Sequence, residues 1–250
     1  VSIQRKQYDE VWQRWMETDD DATRQMRVLD ASNSDDLREG VENADVLLSV
    51  LPRSGITRTI AERISLPREP NARRRWVDLC TSDPKDTEHI ASTLRRVGIG
   101  YVDAPVSGNS NGMRDKALSC VVSGEKRTVD SCHEDVFPLF ANKVQYVGDK
   151  VGTASRLTLA NNTLFAANLL SVSAVLRVLH SHGIAEDDAI VFLNSASGRS
   201  WVTEQYFPQH LVSDTYGVEQ YAKDVLAFMK DMEKGSPMLE AVKAAYVSHV

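Results

Sequence analysis

The sequence predicts a doubly wound, parallel α/β sheet followed by an all-helical carboxyl domain. Three observations carry this reading. Through the first 149 residues short apolar runs alternate with amphipathic stretches, the pattern of strands covered on both faces by helices. From Gly152 to Gly183 runs a stretch with no internal Gly or Pro, GTASRLTLANNTLFAANLLSVSAVLRVLHSHG; as a helix it would be about 45 Å long at 1.5 Å per residue. Beyond it no convincing strand pattern follows. A boundary near Asp149 therefore divides the chain into domains 1–149 and 150–250, the second opening with the long interdomain helix.

Taken in order, Ser2 to Lys6 reads as the end of a strand, and Tyr8 to Glu17 as a short amphipathic helix with Val11, Trp12 and Trp15 on one side. Ser32 or Ser34 can cap a helix that ends near Asn43. Asp45 to Pro52 (DVLLSVLP) is a continuous apolar run, typical of a buried parallel strand, and Pro52 stops it. Helix Ile56 to Ile64, a Pro-rich loop and strand Trp76 to Cys80 follow. Thr81-Ser82-Asp83-Pro84 then opens helix Lys85 to Val97, with Pro84 near its first turn. Strand Gly100 to Asp103, loop Ala104 to Gly112, strand Leu118 to Ser123, helix Thr128 to Phe140 and strand Lys143 to Val147 complete the first domain. In the second, the long helix precedes a helix near Glu186 to Ser195, a loop through Gly198-Arg199-Ser200-Trp201, and helices around Val218 to Lys234 and Pro237 to Val247.

Composition narrows the function classes. A formal charge of -6 argues against general nucleic-acid binding, which needs a dominant basic face. Cys80, Cys120 and Cys132 have no metal-ligand spacing and are too few for a disulfide framework, which points to a reducing, intracellular setting; cytoplasm is favoured and mitochondria stay open. No apolar run approaches membrane-spanning length by this reading, and the amino end is polar, so neither a membrane nor a secretory signal is expected. Because the chain begins with Val1, we expect a trimmed or processed piece.

Most of the long helix's circumference is apolar, which predicts burial among other elements. One polar stripe interrupts it: Ser155, Thr158, Asn162 and Ser173 fall in a narrow arc at 100° per residue. Such residues either bond back to helix carbonyls or waters inside a bundle, or line a cleft. In an open α/β sheet ligands bind beyond the carboxyl ends of the strands. Three of those ends carry Val50-Leu51-Pro52, Thr81 and Asp103-Ala104-Pro105-Val106-Ser107-Gly108. Ser107 and Gly108 can offer a hydroxyl and an unshielded N–H to a carboxylate, or the loop is an ordinary Pro/Gly turn.

The stretch VDLCTSDPKDTEHIASTLRRVGIGYVDAPVSGNSNG, then GTASRLTLANN, SWVTEQYF and YAKDVLAFMKD, resembles the β-hydroxyacid dehydrogenases, the group of 3-hydroxyisobutyrate dehydrogenase, within the 6-phosphogluconate dehydrogenase superfamily. The resemblance implies a Rossmann-like dinucleotide domain, a helical substrate and dimerisation domain, and hydride transfer between NAD(P) and a small hydroxy or keto acid. It places Leu51 and Pro52 beside the dinucleotide and Thr81 near the nicotinamide, with Cys80 in the place of a usual Ser. Ser107, Gly108 and Asn109 match the substrate-carboxylate loop, Asn109 standing where a second Gly is usual. Asn162 matches the helix Asn that helps hold substrate, and Lys223-Asp224 the pair that closes over the site.

Two departures follow. The family's catalytic Lys position is Thr158, whose hydroxyl cannot by itself exchange a proton near neutral pH. No G-x-G-x-x-G turn exists in the chain, so the amino-terminal strand that would carry it is expected to be missing. Ser2 to Lys6 then matches the family's second strand, and Arg5 sits where the adenine ribose is read, favouring NADP(H) over NAD(H); the alternative is a strand end with solvent-facing charge. The lead expectation is an NAD(P)-dependent oxidoreductase on a carboxylate-bearing alcohol or ketone, with Thr158, Asn162 and Lys223 as candidate catalytic groups and no metal. Alternatives are imine reductase-like chemistry and a non-catalytic NADP-binding protein. A homodimer or higher homo-oligomer is expected through the long helix.

Overall fold

The computed structural model describes residues 40–41, 43–51, 53–64, 74–108, 115–207, 218–231 and 236–247. The strand and helix expected over 2–6 and 8–17 lie outside them. So do Arg5, Pro52 and Asn109.

Strands β1 (Val46–Ser49), β2 (Arg75–Asp78) and β3 (Gly100–Asp103) pair in chain order as a parallel sheet, with Leu48 opposite Val77 and Val77 opposite Val102. Alternation along the strands splits their side chains between two cores. Trp76 and Tyr101 pack with Ile60, Ile90 and Leu94, while Val77 and Val102 pack with Leu118, Val122 and Phe137. Helix α1 (Ser54–Arg63) follows β1, and α2 (Pro84–Arg96) follows β2. At the start of α2 the Asp83 carboxylate accepts the Lys85 N–H at 2.9 Å and Pro84 occupies the first turn.

Beyond β3 a second three-stranded sheet follows, and it is mixed. β4 (Val106–Ser107) runs antiparallel to β5 (Leu118–Val122), which pairs parallel with β6 (Ala141–Tyr146). An antiparallel bridge between Asp103 and Ser123 joins the two strand groups. The helix expected over Thr128 to Phe140 is instead a short α3 (Lys126–Asp130), a run of turns and a 3-10 turn at Phe137–Leu139. Pro138 sits in the first turn of the 3-10 element, where its missing N–H costs no hydrogen bond.

The carboxyl half is helical: α4 (Thr153–Ser181), α5 (Glu186–Ser195), a π turn (Val202–Tyr206), α6 (Val218–Asp231) and α7 (Pro237–Val247). Ala166 and Ala167 of α4 pack against Val225 and Met229 of α6 and against Val242 and Tyr246 of α7. The Tyr246 hydroxyl donates to the Ala166 carbonyl at 3.1 Å.

The long helix differs from the sequence expectation in one respect. It is buried on one side only: Leu157, Leu164, Val175 and Val178 are 46–64% exposed. By length and composition α4 could cross a membrane, with 28% of its most apolar window buried. Its polar stripe, however, is tied into both lobes of this protein.

Candidate functional site

Two buried carboxylates close the carboxyl ends of β2 and β3. Asp78 accepts from the Ser49 hydroxyl at 2.7 Å, the Cys80 N–H at 3.2 Å and the Tyr101 hydroxyl at 2.8 Å, while Trp76 Nε1 donates to Ser49 Oγ. Burial pushes the Asp78 carboxyl above its usual range, against the pull of those donors. Asp103 reaches across to α4. Its Oδ2 accepts from the Gly152 and Ser155 N–H groups at 3.0 Å and from Ser123 Oγ at 2.9 Å, and its Oδ1 from Ser155 Oγ at 2.7 Å. A carboxylate from the sheet thereby satisfies orphan donors at the start of the long helix, a cap that comes from 49 residues away.

Above these ends lie the loops expected to hold ligands. The Leu51 N–H donates to Cys80 Sγ at 3.0 Å, so the end of β1 is tied to the residue before Thr81. Burial and the neighbouring Asp78 charge drive the Cys80 thiol upward, so it serves here as a neutral acceptor rather than a nucleophile. Thr81 is half-buried and Ser82 fully buried, and the Ser82 hydroxyl has no hydrogen-bond partner among the described residues. An orphaned hydroxyl beside Thr81 fits a loop that holds a polar ligand.

Ser107 is exposed on β4 and pairs in register with Ser119. Gly108 has φ +146°, and a Cβ there would come within 2.6 Å of Leu118 Cδ2, so the loop needs glycine at that point.

The polar stripe of α4 resolves into different roles. Ser155 bonds Asp103, and Ser173 bonds back to the Leu169 carbonyl at 2.7 Å. Thr158 is buried on the face that carries Asn162, one turn on. Asn162 Nδ2 donates to Asp224 Oδ2 at 2.8 Å, and Asn161 Nδ2 donates to Asn162 Oδ1 at 3.1 Å. Because a carboxylate only accepts, this pairing fixes which way the Asn162 amide faces. Asp224 is 5% exposed, and burial raises its carboxyl against the opposing pulls of Lys223 and Asn162. The Lys223 ammonium, half-exposed, stands 3.8 Å from Asp224 Oδ1.

Asn162, Asp224 and Lys223 are thus brought together, as are Leu51 and Cys80, the residue before Thr81. Ser107 stands on a separate element, although β4 and α4 both pack on β5.

Sequence reading missed an aromatic wall beside this pair. Phe165, one turn beyond Asn162, meets Tyr221 at 4.6 Å between ring centroids, Trp201 at 5.7 Å and Tyr206 at 5.8 Å. Tyr221 lies one turn before Asp224 on α6, so polar and aromatic contacts alternate along the α4–α6 seam. The spacing Asn162, Phe165 and Tyr221, Asp224 at i, i+3 was a signal available in the sequence.

Elsewhere, a cavity of ≈ 430 Å³ opens between the carboxyl halves of α1 and α2, lined by Glu62, His89 and Arg96 among others. Among the described residues no group of three His, Cys, Asp or Glu is placed to hold a metal ion.

Two family models match the chain. Residues 6–148 match the NAD binding domain of 6-phosphogluconate dehydrogenase, and residues 152–248 the NAD-binding domain of NADP-dependent 3-hydroxyisobutyrate dehydrogenase. Among curated relatives, the uncharacterized oxidoreductase YkwC of Bacillus subtilis strain 168 is 24% identical over 68% of this chain and 60% of its own length. The 2-(hydroxymethyl)glutarate dehydrogenase of Eubacterium barkeri is 25% identical over 69% and 57%, and the mitochondrial 3-hydroxyisobutyrate dehydrogenase of Mus musculus 25% over 68% and 50%. The match thus spans between half and 60% of these relatives' length. Of solved structures, Mycobacterium tuberculosis 3-hydroxyisobutyrate dehydrogenase with L-serine superposes with a TM-score of 0.75 at 19% identity, covering 85% of this chain and 76% of that one. Psf3 in complex with NADP+ and 2-OPP gives 0.70 at 20%, covering 96% and 89%. An imine reductase variant from Myxococcus stipitatus with NAD+ gives 0.59 at 16%, covering 85% and 76%.

Proposed function

The chain belongs to the β-hydroxyacid dehydrogenase family, and from that premise we propose that it works as an NADP(H)-dependent oxidoreductase on a small alcohol or ketone bearing a carboxylate. The observation that carries this reading is the Asn162–Asp224 hydrogen bond at 2.8 Å, which holds an oriented amide on the helix face that also presents Thr158. Leu51, Pro52, Thr81 and Lys223 would flank the cofactor, and Arg5 would read the adenine ribose. The orphaned Ser82 hydroxyl supports a ligand at that loop. When bound, the nicotinamide supplies or accepts the hydride.

The remaining work falls to the chain's own residues. Ser107, Gly108 and Asn109 grip the carboxylate with a hydroxyl and backbone N–H groups, and Asn162, held by Asp224, orients the reacting oxygen. The family Lys is replaced by Thr158, so the proton at that oxygen comes from a water ordered by Thr158 and Asn162 or from Lys223. Loss of a well-placed acid or base costs about 10²–10⁴ in rate. Thr158→Lys is therefore expected to raise kcat by a factor in that range, whereas Asn162→Ala and Lys223→Ala depress it; unchanged kinetics in both alanine variants would remove these roles. Arg5→Asp should reverse the preference between NADPH and NADH.

A second reading is imine reduction. It is favoured by the neutral, buried Thr158 at the family Lys position, because a protonated imine brings its own proton and needs only the hydride. Screening cyclic imines against short β-hydroxy acids separates the two. If neither turns over and Thr158→Lys creates activity, the chain is a cofactor-binding protein that has lost its chemistry.

A second copy of the chain is the proposed partner. Leu157, Leu164, Val175 and Val178 share one exposed face of α4 at spacings of three and four residues or their sums, the seam of two helices packed along each other. The three buried free cysteines fit the reducing interior of a cell, and cytoplasm is the proposed site.

A further inference from the structure

The carboxyl end of α6 carries two neighbouring residues of opposite charge that reach two different elements. Lys230 Nζ lies 2.9 Å from Asp83 Oδ2, 147 positions away in the chain. Asp231 accepts from Arg156 Nε at 2.6 Å and from Nη2 at 3.3 Å, and the same Nη2 donates to Glu88 Oε1 at 3.1 Å. We propose that Lys230–Asp83 and Asp231–Arg156 form an electrostatic latch that sets α6 in register against the loop at the end of β2, with Lys230 as a positioning residue for the oxidoreductase site. This rests on the functional reading above and adds the device that aligns its two halves.

The charge pattern permits one register. Adjacent positions on a helix point about 100° apart. Slipping α6 by one residue would turn Lys230 toward the Arg156 guanidinium or Asp231 toward the Asp83 carboxylate, and like charges at that range repel. Two turns earlier, Asp224 bonds Asn162. Helices α4 and α6 are therefore stitched twice, through Asn162–Asp224 and Arg156–Asp231, and Lys230 ties the stitched pair to Asp83, two residues from Thr81.

Asp83 does two jobs with its two oxygens, capping α2 through Oδ1 and holding Lys230 through Oδ2. Burial works against its ionisation, yet Lys230 and the Lys85 N–H together hold the carboxyl below the usual range. Lys230 is 67% exposed, so the pair adds little to overall stability. Its value lies in placement, because Lys230 steadies the carboxylate that caps the Lys85 N–H.

The test is Lys230→Gln in the full-length protein, with Lys230→Arg as rescue. Two measurements are made: steady-state kinetics with NADPH and a short β-keto acid, and amide exchange at residues 81–85 without substrate. Lys230→Gln is expected to raise KM three- to tenfold with kcat within twofold, and to speed exchange at 81–85 at least threefold. Lys230→Arg should return both to near the parent values, and 0.5 M NaCl should raise KM in the parent but not in Lys230→Gln. Unchanged exchange in Lys230→Gln overturns the latch. Faster exchange with unchanged KM overturns its positioning role. Faster exchange in a protein whose parent turns over no substrate keeps the latch and removes the functional reading instead.

Discussion

Asp78 shows how a single residue can carry both architecture and a pH response. Its carboxyl is held above the unfolded value by burial, so the folded state binds that proton more tightly than the unfolded chain does. Its contribution to stability is complete below the unfolded value of about 3.9 and declines as pH climbs toward the folded value. Asp78→Asn removes that loss, so urea midpoints from pH 4 to 8 should fall more steeply for the parent than for the variant; parallel curves would show that Asp78 does not titrate. The cysteines make a second residue-scale case. Burial pushes the Cys120 thiol up to about 12 and Cys132 up to about 11, with Cys80 higher still. An aromatic disulfide reagent at pH 8 should therefore label none of the three in the native protein and all three in denaturant. From sequence alone Cys80 was a substitution of unclear weight. Only the contact with the Leu51 N–H shows that its sulfur organises the end of β1, and a contact between residues 29 positions apart leaves no trace in local pattern.

At the scale of elements, hydrophobic period was a good guide to what forms and a poor guide to what is covered. Strand β3 (Gly100–Asp103) and helices α5 and α7 coincide with the expected spans, because alternation, Gly and Pro act within a few residues. The apolar circumference of α4 implied burial all round, yet α6 and α7 cover one face and leave Leu164 64% exposed. That exposed stripe motivates a concrete expectation. Leu164→Glu with Val178→Glu should convert a dimer to a monomer in sedimentation velocity while leaving the circular dichroism spectrum unchanged, and a persistent dimer would place the interface elsewhere. The Gly108 turn gives a smaller one. Gly108→Ala forces a φ of +146° on an L residue and a 2.6 Å approach to Leu118, and should cost about 1–3 kcal/mol in thermal or urea unfolding.

For the whole molecule, the decisive join is the amino end of α4, where Asp103 of the sheet receives four donors and Arg156 receives the end of α6. Asp103→Ala strands those donors in a buried place and should cost about 3 kcal/mol or more, measured as a fall in the urea midpoint of both lobes together; separate transitions would mean that the lobes fold independently. The order of the elements, the change from alternating to purely helical structure near Asp149 and the candidate ligand loops were determined by the sequence itself, since each depends on neighbours a few residues apart. Which side of the long helix is covered, which carboxylate caps it, and that Asn162 meets Asp224 while Lys230 meets Asp83 were decided by tertiary structure. These pairings join residues 49 to 147 positions apart, and their energies arise only once packing has removed water and set two groups within 3 Å.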